Sequence, residues 1–315
     1  MRSSLLYVLY GCLFGCLLPV TAQPAEQSVR SVRSTPTAKV APAIRVNVNL
    51  ALVPVTVMDG EGRNVLGLTP SNFRVLDESQ PRPIVSFNQQ DAPVSVGLIF
   101  DCSRSMTQKY LVTREAPARL FAQLNPEDEA FLITVSDRAV LRTDFTSHFE
   151  EIQNALLFTH PDGSTSLVDG VYLGLQKLKQ AHNPRKALIV VSDGGENNSR
   201  YTMRELSDLA TEADAQIFTI CLSLNPGTDE EVHGPDLLHK MSQLSGGMQF
   251  ITNDLKLMND ALTRVGVTLH NEYVLGIVPP QTALQGKYRR IKVQVVVPST
   301  LPRLQIFARS SYYVP

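Results

Sequence analysis

Asp101, Ser103 and Ser105 occupy alternate positions in Phe100-Asp101-Cys102-Ser103-Arg104-Ser105-Met106, directly after the apolar run Val94 to Phe100. A carboxylate and two hydroxyls so spaced leave a strand end on one tight loop. All three are hard oxygen donors, suited to Mg²⁺, Mn²⁺ or Ca²⁺ rather than to zinc or copper. The run reads as a buried strand of an α/β sheet, and open α/β sheets bind ligands at the carboxyl ends of their strands. Two later segments could complete such a site. Asp162-Gly163-Ser164-Thr165-Ser166-Leu167 is a polar loop entering a helix, and Leu188 to Ser192 is a second apolar strand, ending in Asp193-Gly194-Gly195.

The order and strand context of these segments resemble the von Willebrand factor type A domain family over about residues 94–270. That resemblance implies a metal-ion-dependent adhesion site of Asp101, Ser103, Ser105, Thr165 and Asp193. It further implies that the serines bind the cation directly while the acids act largely through water. The cation, Mg²⁺ or else Mn²⁺ or Ca²⁺, would keep an open position for an Asp or Glu of a protein partner. The chain departs from the family where Gly often separates the two serines; here Arg104 stands, which supplies no ligand but alters the loop's shape and charge. Each residue also has a plainer reading. Asp101, Ser103, Ser105 and Thr165 could be helix N-caps, and Asp193 a turn residue before two glycines. Asp162 and Glu196 read as rim acids, Asn197 and Asn198 as loop-shaping residues, and Arg104 as facing either an acidic partner or solvent.

Strands over 94–100, 130–135, 138–142, 187–192, 215–222 and 248–251 must position these loops. They alternate with helices near 107–124, 148–157, 166–181, 203–213, 235–244 and 254–270. The pattern predicts a doubly wound, mostly parallel sheet. Leu167, Val171, Leu175 and Leu178 form one apolar stripe, and Leu255, Met258, Leu262, Val265 and Leu269 another; both read as core. Pro117 should kink the first helix.

Residues 46–90 read as an N-terminal β module. Val46, Val48, Leu50 and Leu52 alternate, Val55 and Val57 continue the strand past Pro54, and 69–73 is a helical turn with Pro at its first position. Two short strands, Phe73 to Leu76 and Ile84 to Phe87, flank a turn at Glu78 to Pro81. Residues 272–315 return to strands at 273–278, 288–297 and 304–308. These two flanking parts are expected to pair as one small β-sandwich beside the α/β domain.

Residues 1–22 read as a signal peptide: Met1-Arg2, an apolar run from Leu5 to Val20, and cleavage after Val20-Thr21-Ala22. An uncleaved anchor is the alternative, and bulky Phe14 makes Leu13-Phe14-Gly15-Cys16 a poor lipoprotein box. Residues 23–45 read as a disordered tether. Cleavage would leave Cys102 and Cys221, expected as buried free thiols, in a secreted or periplasmic protein with no membrane span. A net charge of -1, from 29 basic and 30 acidic residues, gives no sign of the concentrated basic face that nucleic acid binding needs. No H-E-x-x-H, G-x-S-x-G or phosphate-loop motif occurs, and His233 and His239 read as surface residues. A D-x-D phosphatase would need an acid where Ser103 stands. The sequence therefore predicts a non-enzymatic, metal-dependent protein-binding module. The alternatives are an assembly subunit whose metal stabilises the fold and, less well matched, a Mg²⁺-dependent phosphatase-like enzyme.

Overall fold

The computed structural model describes residues 50–89, 91–223, 229–280, 286–296 and 304–314; the signal-peptide and tether expectations lie outside them. At its centre is a six-stranded sheet. Its strands are β5 (Val94–Asp101), β6 (Glu129–Val135), β7 (Ala139–Thr146), β8 (Arg185–Ser192), β9 (Gln216–Leu222) and β10 (Gln249–Thr252). Their spatial order is β10-β9-β8-β5-β6-β7, with every pairing parallel except the β6–β7 edge. This is the doubly wound sheet the sequence predicts.

Both faces of the sheet are covered, so its inner strands are apolar on both sides. Val96, Leu98 and Phe100 of β5 face one core, with α1 (Thr107–Thr113), α2 (Pro117–Phe121), α3 (Phe149–Leu157) and α7 (Leu255–Leu269). Ile99 faces the other, with α4 (Leu167–Leu178), α5 (Met203–Ala213) and α6 (Asp229–Ser245). Residues 107–124 form two helices, because Pro117 starts the second; the chain breaks there instead of kinking. Helix α6 begins before the expected 235 and carries Pro235 inside it.

The flanking segments make two further four-stranded sheets, β13-β1-β11-β4 and β14-β12-β2-β3. Their strands are β1 (Ala51–Met58), β2 (Phe73–Asp77), β3 (Gln80–Arg82), β4 (Ile84–Asn88), β11 (Tyr273–Ile277), β12 (Lys287–Val295), β13 (Gln305–Ala308) and β14 (Ser311–Val314). Antiparallel ladders join the early and late parts of the chain: β1 to β11 and β13, β4 to β11, β2 to β12. Val53, Val55, Val57, Phe73, Val75, Tyr273, Leu275, Ile291 and Tyr312 close the core between the sheets. Leu52 is 44% exposed, so the buried face of β1 starts at Val53 rather than continuing the Leu50–Leu52 alternation. Glu78 and Ser79, at φ 47° and 68°, turn β2 into β3, the left-handed geometry that matches strand twist in a two-residue hairpin.

A carboxylate–histidine cluster ties the entry and exit of the α/β domain. Asp128 accepts the N–H groups of Val94 (2.8 Å) and Asn125 (2.6 Å). His270, just after α7, lies 3.1 Å from Asp128 through Nε2 and 2.6 Å from Asp91 through Nδ1. Asp128 first, and then Asp91, raise the imidazole pKa against the effect of burial. A raised histidine pKa gives stability that is complete below the unfolded value near 6.5 and lost as pH rises through the folded value. His270→Gln is therefore expected to flatten the fall in stability above about pH 6.5, read as urea midpoints across pH. An unchanged pH slope would refute the coupling.

Candidate functional site

The chain runs from β5 out to β6 and β7, then returns to lay β8 on the other side of β5. The crevice between the carboxyl ends of β5 and β8 is thus the point where the winding reverses, the usual ligand position in such sheets. Asp101 ends β5, and Asp193 follows the last residue of β8.

Asp101 is wholly buried. Its Oδ1 accepts the Ser103 N–H at 2.9 Å and its Oδ2 the Ser192 hydroxyl at 2.5 Å. The Ser192 oxygen in turn accepts the Gly194 N–H at 2.9 Å, so one hydroxyl links the two strand ends. Ser103 and Ser105 hold their hydroxyls 3.1 Å apart, Ser103 buried and Ser105 exposed. Asp193 Oδ1 accepts the Gly195 N–H at 3.2 Å. A β-carbon placed on Gly195 would lie 3.4 Å from both Asp193 Oδ1 and Thr165 Oγ1, so these two oxygens border one small space. The structure therefore gathers all five sequence-predicted residues in one crevice, with Ser105 as its solvent-facing edge.

The capping alternatives do not describe these contacts. Ser103 precedes a short 3₁₀ turn without a side-chain cap bond, and the N-cap of α4 is Ser166 rather than Thr165, also without one. Glu196 serves α4 instead, accepting the Val168 N–H at 2.8 Å and the Ser199 hydroxyl at 2.7 Å. Glu196 is thus turned inward, a correction to its reading as a rim acid. Asp162 is at the rim, exposed and 3.1 Å from Arg104. Arg104 therefore meets an acid of its own chain.

Hydrogen bonds lace the loops together. Arg104 N–H donates to Gly163 O (3.1 Å) and Asp162 N–H to Cys102 O (2.9 Å). Asn197 Oδ1 accepts the Thr165 N–H (2.9 Å), while the N–H groups of Asn197 and Asn198 donate to Thr165 O (3.1 and 3.0 Å). Asp137 accepts the Ser164 N–H at 2.7 Å. Sequence reasoning missed Ser192, Asp137 and, most consequentially, Lys109. The Lys109 Nζ stands 2.7 Å from Asp193 Oδ2, with both side chains buried. The available signal was its spacing: Lys109 is four residues after Ser105, one helical turn on.

Burial, and then the nearby Asp193 charge, push the Asp101 carboxyl up to about 6. Two buried carboxylates repelling each other beside neutral hydroxyls fit a hard cation. Among the described residues no three His, Cys, Asp or Glu side chains gather as a metal-binding group, so a cation here would rest on the two acids and the hydroxyls. Cys102 and Cys221 are free and buried, and burial raises their thiols to about 12 and about 11, which keeps them unreactive.

A doubly wound sheet with this crevice has the architecture of a von Willebrand factor type A domain, and residues 96–196 match that family's model. Among solved structures the chain is similar to a von Willebrand factor type A protein from Catenulispora acidiphila, at 11% identity over 76% of this chain and 72% of that one, TM-score 0.49. It is also similar to the von Willebrand domain of a type V pilus tip protein from Porphyromonas gingivalis, at 12% identity over 57% and 95%, TM-score 0.46. A conserved hypothetical protein from Bacteroides thetaiotaomicron gives 16% identity over 56% and 98%, TM-score 0.45. No curated protein matches the chain.

Proposed function

We propose that the chain is an extracytoplasmic protein-binding module whose crevice holds a divalent cation, Mg²⁺ by preference, completed by a carboxylate of the partner. The observation that carries this reading is the convergence of Asp101, Ser103, Ser105, Thr165 and Asp193 where the sheet reverses its winding. Asp101 and Asp193 would supply the negative charge, and the hydroxyls of Ser103, Ser105 and Thr165 neutral oxygens. Mg²⁺ takes about six oxygens and retains waters readily, so a donor set this sparing in charge leaves a position for an incoming Asp or Glu. The exposed edge at Ser105 supports approach from solvent. The leader-like residues 1–22 and the match to the von Willebrand family support a role outside the cytoplasm and in protein contact. Among the described residues no helix is long and apolar enough to cross a membrane. The reading in which the cation chiefly stabilises the fold has less support, because the three loops already hold one another through Ser192, Asn197 and Lys109.

The test uses the whole chain as bait against envelope proteins of the producing cell. Capture is expected in Mg²⁺, should vanish in chelator and should return when Mg²⁺ is restored. Capture that persists unchanged in chelator would remove the cation from the interaction.

A further inference from the structure

The buried ammonium of Lys109 alters the charge arithmetic of the crevice. A lysine is seldom buried unless paired, because losing water costs the ammonium heavily. Here the residue is third in α1, its side chain is 8% exposed, and its Nζ sits 2.7 Å from Asp193 Oδ2. The other oxygen of that carboxylate takes the Gly195 N–H at 3.2 Å and borders Thr165. Asp193 is thus anchored at both ends by its own chain.

Of the five gathered residues only Asp101 and Asp193 carry charge. With Lys109 paired to one of them, the donor set falls from two net negative charges to one. Serine and threonine hydroxyls cannot restore the difference. A divalent cation entering the crevice must share Asp193 with a fixed positive charge or displace it. At contact distances in a partly dry site, that repulsion exceeds thermal energy several times over.

We propose that Lys109 is an internal competitor of the cation: it keeps Asp193 in register when no metal is bound, and it lowers the affinity of the crevice for divalent ions. This rests on the cation reading given above. It makes occupancy conditional, so that a partner's carboxylate adds charge the site itself lacks, and cation and partner bind each other's complex more tightly than either binds alone.

A purely structural lysine predicts that its loss weakens everything. The competitor role predicts the opposite for metal. Mn²⁺ affinity, measured by titration calorimetry on the whole chain, is expected to rise about tenfold or more in Lys109→Met. It should stay within about twofold of wild type in Lys109→Arg, which keeps the charge. In chelator Lys109→Met should melt below wild type, and Mg²⁺ should raise its melting temperature by more than it raises that of wild type. Should Lys109→Met fail to fold, Lys109→Gln makes the same comparison. Equal or weaker Mn²⁺ binding by the folded variant, with wild type binding Mn²⁺, overturns the competitor role and leaves the cation reading standing. No Mn²⁺ binding by either protein overturns both.

Discussion

Asp101→Asn should abolish divalent-cation binding, by more than about 100-fold, and partner capture with it, while the chain stays folded. The expected loss is larger than the 10- to 100-fold that follows removal of a group behind a metal ligand. Asparagine removes one of the site's two negative charges. It also offers one acceptor oxygen where Asp101 uses two, one for the Ser103 N–H and one for the Ser192 hydroxyl. Stability should respond differently from binding. The rise of the Asp101 carboxyl from 3.8 to about 6, caused by burial and Asp193, corresponds to about 3 kcal/mol of burden on the ionised group. That burden is absent at pH below 3.8 and complete above about pH 6, so cation-free wild type should lose stability as pH rises through that window. The neutral amide escapes the burden but forfeits a buried hydrogen bond worth about 1–3 kcal/mol. The two effects nearly offset, so in chelator the variant should melt within a few degrees of wild type. Mg²⁺ should then raise only the wild-type transition. A variant that still binds Mn²⁺ like wild type would place the cation elsewhere.

Much of this site was legible because its parts announce themselves locally. Val94 to Phe100 and Leu188 to Ser192 are apolar on both faces, as central parallel strands must be, and the polar residues begin where each strand ends. The donors Asp101, Ser103 and Ser105 lie within one loop. What escaped was set by partners far away in sequence. Lys109 looks like any helix lysine until α1 swings its side chain against Asp193. Glu196 looks like a rim acid until it turns toward α4. Strand β14 is a four-residue run whose identity comes from its ladder with Lys287 to Arg290. The phase of β1 was also unreadable alone. Leu52 and Val53 are equally apolar, and only the pairing with β11 and β13 decides which one faces the core. Pro117 shows the converse: one residue whose ring forbids a helical hydrogen bond marked the break almost to the position.

Gly194→Ala is expected to cost about 2–5 kcal/mol and to empty the site of cation, because the Asp193 loop rests directly on the backbone of α6. Gly194 has φ +85°, a left-handed conformation that costs an L side chain about 1–2 kcal/mol. A β-carbon there would also lie 2.3 Å from Gly234 Cα and 2.5 Å from its carbonyl carbon. Both are backbone atoms, which cannot rotate away as a side-chain tip could, so overpacking adds about 1–3 kcal/mol. Gly234→Ala separates the two effects. Gly234 has no left-handed strain, and alanine would ordinarily favour the helix by about 1 kcal/mol. Its β-carbon, however, would sit 2.2 Å from Asp193 O. A substitution that helix propensity favours should therefore lower both the urea midpoint and Mn²⁺ affinity, as the carbonyl and its carboxylate are pushed out of the crevice. Gly60→Ala is the control, since nothing lies within 4 Å of its β-carbon, and it should stay within about 0.5 kcal/mol of wild type. If Gly234→Ala matches wild type in both measurements, α6 is not what holds Asp193 at the end of β8.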